Sequence, residues 1–430
     1  MNRRPVPLTA SAAFVLAVLG PLPASAVPAD VGREPTRATT HLDEARPPCA
    51  EPRRDKYSCL LRIRPASQAR AAGTPVPSPP NRKTSWALSS TAPDIPVPDI
   101  PVPQAGYGPA DIRNIYGLPL APDTRQTIAV VVAGDAPSAE TDLAVYREFW
   151  GLPPCTTENG CFTKIDQRGG NDLPMADPGW AVEAGMDVQA VSATCPSCKI
   201  LLVEADSADF FDMPAAVDQA VAHGADIVSN SWGAAETGAF VSAGPTSFTH
   251  PGVPILAASG DSGFSYANFP ASWSKVIAVG GTTVTRSTEG WEHFAWAGSG
   301  SGCSTWVDKP HWQHDENCSL RTTSDVSALA DPQTGLAFYQ TYGPSEFGLD
   351  PGWFVGGGTS LAAPLVAGMI ALSGLASSMD DASGLYEHSQ ELLDVVTGTN
   401  GECGDDYLCT ARPGYDAPTG TGTPRGPIGW

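Results

Sequence analysis

Positive charge is scarce in this 430-residue chain: 25 Lys and Arg stand against 46 Asp and Glu, for a formal net charge of −21. Neutralising a phosphate backbone takes Lys and Arg, so nucleic acid is excluded as a partner. Charge of either sign is thin, at 17% of residues. Past the N-terminal region no apolar run reaches the ~20 residues that span a bilayer. The most apolar stretch there, 361–372, has the length of a core helix instead. Histidine is rare too, with seven residues at 41, 223, 250, 293, 311, 314 and 388. That scarcity limits which bases can serve a nucleophile. What the chain does have is apolar content, 42%, enough for one large core. Its acidity serves solubility, and more sharply it suits work at low pH, where carboxylate repulsion is neutralised.

The start has the pattern of a secretory signal over residues 1–26: Arg3 and Arg4, the apolar "AAFVLAVLG", then Ala24-Ser25-Ala26. The expectation is a secreted, extracellular protein with no membrane association once the signal is removed, working as a monomer. Ten cysteines agree with export and fall into five close couples: Cys49/Cys59, Cys155/Cys161, Cys195/Cys198, Cys303/Cys318 and Cys403/Cys409. Five local disulfides are the simplest pairing. Cys195-Pro-Ser-Cys198 reads as a structural clip rather than a redox pair. His311-x-x-His314, with Glu316 and Cys318 near, matches no standard zinc spacing.

Residues 27–66 are polar and irregular, an N-terminal extension or reduced prosegment. Residues 67–104, with "TPVPSPP" and "DIPVPDIPVP", read as a proline-rich, extended linker. From 105 to 430 the composition is that of one globular domain. Strands are expected at 127–134, 199–205, 225–230, 253–260 and 275–281, and helices after Ser138, over 178–194 and over 212–224. Repeated β-α-β units with continuous apolar strands predict an α/β fold: a doubly wound, mostly parallel central sheet with helices on both faces. In such sheets, sites form at the carboxyl ends of the strands.

One serine stands out there. In "WFVGGGTSLAAP" a short strand runs through three glycines to Thr359-Ser360 and an apolar helix. A helix start offers free N–H groups and the positive end of the dipole. Ser360 at that place reads as a nucleophile, or as a helix cap. Three arrangements would activate it. A hydrolase elbow needs an acid and then a histidine after the serine, and only His388 follows. A subtilisin order needs Asp, which Asp135 would supply, then His, which is missing. His223 ends a helix and His250 precedes a proline, so both read as structural. The third arrangement uses carboxylates. Glu183 and Asp187 lie four apart on one face of helix 178–194, among apolar neighbours where like charges repel. Asp261, in "ILAASGDSG", ends a buried strand.

Glu183-x-x-x-Asp187 in "VEAGMDVQ", Asp261 in "ASGDSG", Ser360 in "GGTSLAAP" and the strand "VSNSWG" together resemble the sedolisins, serine-carboxyl peptidases with a subtilisin-like fold. The resemblance runs from about Gly106 to the C-terminus. It implies peptide hydrolysis at acid pH, with protein or peptide substrates. Ser360 is then the nucleophile, Glu183 its base, Asp187 the group that orients Glu183, and Asp261 a protonated oxyanion donor. Ser231, Trp232 and Gly233 line the substrate.

The resemblance also implies one structural Ca2+ ion, held by Asp394, Asp416 and the carbonyls of Val395, Arg412 and Gly414. Arg412 stands where sedolisins usually have a small residue. Sedolisins carry a long prosegment, whereas residues 27–104 leave room only for a reduced one, with self-cleavage expected near 104. Two other readings compete: a catalytically silent relative that binds proteins or peptides, and a secreted ester hydrolase dependent on His388.

Overall fold

The structure is a computed structural model of the chain, in which residues 45–49, 56–71, 75–78, 103–119 and 124–429 are described. The expected signal peptide and most of the proline-rich linker lie outside the described residues. Two short strands come first, β1 (Ser58–Cys59) and β2 (Arg62–Pro65), then helix α1 (Ala66–Ala71). Residues 67–71, expected from composition to open the linker, complete that helix instead.

The body then alternates: α2 (Pro109–Tyr116), β3 (Thr127–Ala133), α3 (Ala139–Trp150), β4 (Phe162–Asp166), α4 (Pro178–Thr194) and β5 (Lys199–Ala205). After these come α5 (Asp212–Ala222), β6 (Ile227–Asn230), β7 (Trp232–Ala235), α6 (Gly238–Ser247) and β8 (Ile255–Ala258). The strands β9 (Asn268–Phe269), β10 (Val276–Arg286), β11 (Trp291–Ala295), β12 (Gly302–Cys303), β13 (Thr322–Thr323), β14 (Val326–Leu329), β15 (Leu336–Gln340) and β16 (Gly352–Gly357) follow. Helices α7 (Thr359–Ser373) and α8 (Ser383–Glu387) lie beyond them. The expected helix at 178–194 and strand at 199–205 match at both ends. Ser138 precedes α3 as expected, but its hydroxyl bonds the Asp142 carboxylate at 2.6 Å and not the helix backbone.

The central sheet runs β11-β10-β8-β6-β3-β5-β4, with β14 also beside β10. Every pairing in it is parallel except β10 with β11. Ile128 to Ala133 on β3 are all buried. Successive strand residues point to opposite faces, so both faces of the sheet are covered. Helices α4 and α7 pack on each other and on the sheet, while α5 packs on β3 and β5. Two smaller sheets matter for the site: β1-β7-β9, and β15-β16-β2.

All five expected disulfides form, Cys49–Cys59, Cys155–Cys161, Cys195–Cys198, Cys303–Cys318 and Cys403–Cys409. Cys318 is therefore no metal ligand. No helix among the described residues is long and apolar enough to cross a membrane.

Candidate active site

Helix α4 is enclosed on all sides: every residue from Gly179 to Thr194 is buried. Asp177 caps it, accepting from the N–H groups of Gly179 (2.9 Å) and Trp180 (3.1 Å), and Pro178 occupies the first turn, where no donor is lost. The helix thus carries Glu183 and Asp187 into the interior, where both are fully buried.

Helix α7 meets α4 at Gly368, where an added Cβ would lie 2.7 Å from the Cβ of Thr194. That close approach brings the start of α7 over Glu183. Ser360 Oγ lies 3.1 Å from Glu183 Oε2 and 2.9 Å from the Ser231 carbonyl oxygen, two acceptors within reach of its one proton. The helix begins at Thr359, two residues earlier than expected, so Pro364 sits inside it and not in its first turn. A proline there cannot donate to the carbonyl four residues back, which is that of Ser360. The Ser231 hydroxyl takes over this acceptor at 3.0 Å. The same hydroxyl lies 2.9 Å from Asp187 Oδ1. One hydroxyl proton cannot serve both oxygens. A protonated Asp187 donating to Ser231 Oγ satisfies the chain from Asp187 through Ser231 to Ser360.

Asp261 follows β8 and is buried beneath the turn into α7. Its Oδ1 accepts from Thr359 twice, from the N–H at 2.8 Å and from the hydroxyl at 2.9 Å. Asp261 Oδ2 has no hydrogen-bond partner, and Arg62 Nε stands 3.8 Å away. With Oδ1 taken as an acceptor, Oδ2 is the oxygen left to carry a proton. Gly358, at φ 100°, holds the turn in a conformation that favours glycine.

Burial governs the electrostatics. It pushes Glu183 well above the ordinary carboxylate range, and the neighbouring Asp187 pushes it further, against the Ser360 hydroxyl. Burial also raises Asp187 well above its usual value, opposed by Ser231 and Glu183. Two acids so placed cannot both ionise cheaply. Asp261 is pushed up to about 6 by burial, with the Thr359 donors and Arg62 acting the other way.

The structure therefore brings Glu183, Asp187, Asp261 and Ser360 together. Trp232 does not present its side chain to the cleft. Its indole is buried and donates to the Val131 carbonyl at 3.0 Å, so residues 232 and 233 face the cleft through backbone. Asp135 is ion-paired with Lys164, away from the serine. His388 pairs with Glu391 at 3.4 Å, and His250 with Asp218 at 3.1 Å. Asp394 accepts from the Gly414 N–H at 2.8 Å and Asp416 from the Arg412 N–H at 3.1 Å, so both acids grip one turn near the C-terminus. Among the described residues no group of three or more His, Cys, Asp or Glu side chains gathers as a metal site. Leu60 and Arg62, which carry no role in the sequence reading, also reach this site. The alternation Leu61-Arg62-Ile63-Arg64 is a strand signal that marks the segment as more than irregular chain.

Sheet, crossing helices and a serine at a helix start define a protein of the subtilisin-like class. The Subtilase family model matches residues 179–382, a span holding all four site residues. Kumamolisin from Bacillus sp. (strain MN-32) is 29% identical over 360 residues, covering 74% of this chain and 62% of its own. Sedolisin from Pseudomonas sp. (strain 101) is 26% identical over 374 residues, covering 74% of this chain and 60% of its own. The solved Pseudomonas sedolisin, a serine-carboxyl proteinase complexed with two molecules of pseudo-iodotyrostatin, superposes with a TM-score of 0.63 at 26% identity. It covers 74% of this chain and 95% of that one. The chain is similar in sequence to kumamolisin and sedolisin and shares the subtilisin-like fold of the solved sedolisin. It spans about three-fifths of the length of the curated relatives it matches.

Proposed function

We propose that this protein is a secreted serine-carboxyl peptidase that hydrolyses peptide bonds in acid solution. The observation that carries the reading is the contact of Ser360 Oγ with Glu183 Oε2 at 3.1 Å, beside a buried acid at the start of the same helix. Ser360 attacks the peptide carbonyl as its proton passes to Glu183. Asp187 holds Glu183 and shares its burial. The oxyanion forms between the Ser360 N–H and Asp261 Oδ2, which must be protonated to donate. Asp261 loses its proton as pH rises through about 6, and the donor goes with it. Asp261 therefore sets the alkaline limit of activity, and the acid limit lies where the Glu183–Asp187 pair takes up its second proton and Glu183 stops being a base. The backbone of Ser231 to Gly233 supplies an edge on which a substrate pairs as an added strand.

The five disulfides fit an exported chain. Oxygen donors at Asp394, Val395, Arg412, Gly414 and Asp416 suit Ca2+ in kind: two carboxylates and three carbonyls on neighbouring turns. Asp394 stands close enough to Asp416 for its charge to be felt there. An ion bound to this set would brace the C-terminal loop, outside the chemistry.

The test is cleavage of denatured casein at pH 3–5 by purified protein, with Ser360→Ala as control. Cleavage lost in the variant supports the reading. No cleavage by the wild-type protein supports the silent relative instead. Cleavage that survives Ser360→Ala and fails in His388→Ala supports the ester-hydrolase arrangement.

A further inference from the structure

The cleft above Ser360 is occupied by the chain itself. Leu60 N–H donates to the Ser231 carbonyl at 3.1 Å, and the Ser360 N–H donates to the Leu60 carbonyl at 3.2 Å. Upstream, Ser58 and Cys59 pair antiparallel with Gly233 and Trp232. Downstream, Arg62 to Pro65 pair antiparallel with Gly357 to Phe354 of β16. A Cβ at Gly358 would lie 2.1 Å from the Leu60 carbonyl oxygen and 2.7 Å from Asp261 Oδ2, so that oxygen and that acid flank one point. One extended segment is thus held on both sides of a single link, Leu60–Leu61. Its carbonyl oxygen meets the N–H of the serine that would attack it.

We propose that Leu60–Leu61 is a scissile bond cut in cis by Ser360, and that the chain ahead of it is a substrate-mimicking plug closed by the Cys49–Cys59 disulfide. This rests on the peptidase reading above. Ser360 Oγ bonds to the Leu60 carbonyl carbon while its proton passes to Glu183. The C–N bond to Leu61 breaks as that proton reaches the Leu61 nitrogen. Water, giving a proton to Glu183, then hydrolyses the ester, releases the Leu60 carboxyl and restores Ser360.

The two sides of the cut are held differently. Leu61, Ile63 and Ala69 are buried, and β2 completes a sheet with β15 and β16, so the new terminus stays in the body. On the other side, Tyr57 packs on Trp232 (4.5 Å between rings) and Phe240 (4.9 Å), and its N–H donates to the Ala208 carbonyl at 2.7 Å. The Cys49–Cys59 bridge folds the plug back so that Arg46 exchanges two hydrogen bonds of 2.9 Å with Ile63, beyond the cut. Severed ends held this way stay in place, and the plug blocks substrate until it leaves. The occupant also describes the substrate class: a large apolar residue before the bond, an aromatic one three places further upstream, and a basic one two places after the bond.

The experiment follows purified full-length protein at pH 4 by N-terminal sequencing and intact mass. A fluorogenic peptide, Tyr-Ser-Ser-Leu-Leu-Arg, reports activity in the same samples. The prediction is a new terminus at Leu61 that appears with peptidase activity and is absent in Ser360→Ala. Cys49→Ser with Cys59→Ser should release the plug sooner and bring activity up about tenfold faster, because a short disulfide loop no longer holds it. Active enzyme with an intact Leu60–Leu61 bond, or with its terminus elsewhere such as near 104, overturns this inference and leaves the peptidase reading standing. Failure to cut any peptide at acid pH, inside the chain or outside it, overturns both.

Discussion

At the scale of single residues, Asp261 is the informative position. Its Oδ1 is occupied by Thr359, and its Oδ2 can donate only when protonated. Asparagine keeps both features, an oxygen to accept from Thr359 and an N–H in place of Oδ2–H, yet it does not titrate. Asp261→Asn is therefore expected to retain part of the activity and to lose the fall near pH 6, read as kcat/KM against pH. Asp261→Ala removes the donor outright, and a loss of about 10²–10³ in kcat is expected. Equal pH profiles for wild type and Asp261→Asn would show that another group sets the upper limit. Glu183 admits a similar comparison. Glu183→Gln cannot accept the Ser360 proton, so peptide cleavage should fall to the level of Ser360→Ala while both variants remain folded.

At the scale of elements, the site depends on how α7 lies against α4. Gly368 permits that approach, and Val at this position would push into Thr194. Overpacking of this kind costs about 1–3 kcal/mol. Gly368→Val should lower the denaturant midpoint and weaken activity together, since Ser360 moves with its helix. A lowered midpoint with full activity would mean that the serine is placed by the Gly358 turn alone. Much at this scale was legible in advance. Helix 178–194 and the parallel strands announce themselves by apolar runs, and the Glu183–Asp187 spacing sets both acids on one face. The disulfide couples followed from their closeness in sequence. What stayed hidden depends on contacts between distant segments. Nothing local reveals that Ser231 answers the carbonyl left free by Pro364, four residues after Ser360. Nor does local pattern say that Leu60 would lie on Ser360, because β1 and β2 gain their partners, β7 and β16, from far along the chain. Composition also misplaced residues 67–71, where the short helix α1 forms ahead of the prolines.

At the scale of the whole molecule, the buried acids couple folding to pH. Burial raises Glu183, Asp187 and Asp261, and pushes Glu204 up to about 8. An acid with a raised value binds its proton more tightly in the fold than in the unfolded chain. Its contribution is present below the ordinary value near 4 and is lost as pH rises toward the folded value. A tenfold change in proton affinity is worth about 1.4 kcal/mol, so Asp261 alone accounts for ~3 kcal/mol between pH 4 and 7. Asp166, Asp218 and Asp381 are held below the usual range by hydrogen bonds and partners, and their contribution disappears only in stronger acid. Urea unfolding of Ser360→Ala, which cannot digest itself, should show higher stability at pH 4 than at pH 7. The opposite order would mean that the acids are not buried as described. Chelator treatment should lower the Tm if Asp394 and Asp416 hold Ca2+ as proposed, and an unchanged Tm after verified metal removal would dispose of that site.

The central claim is that carboxyl groups, not a histidine, activate Ser360 and stabilise the charge it creates. The most direct test is kcat/KM for peptide cleavage measured from pH 3 to pH 9. The expected profile is high in acid and falls as pH rises through about 6, where Asp261 ionises. A rate that climbs steadily to pH 8 would contradict it.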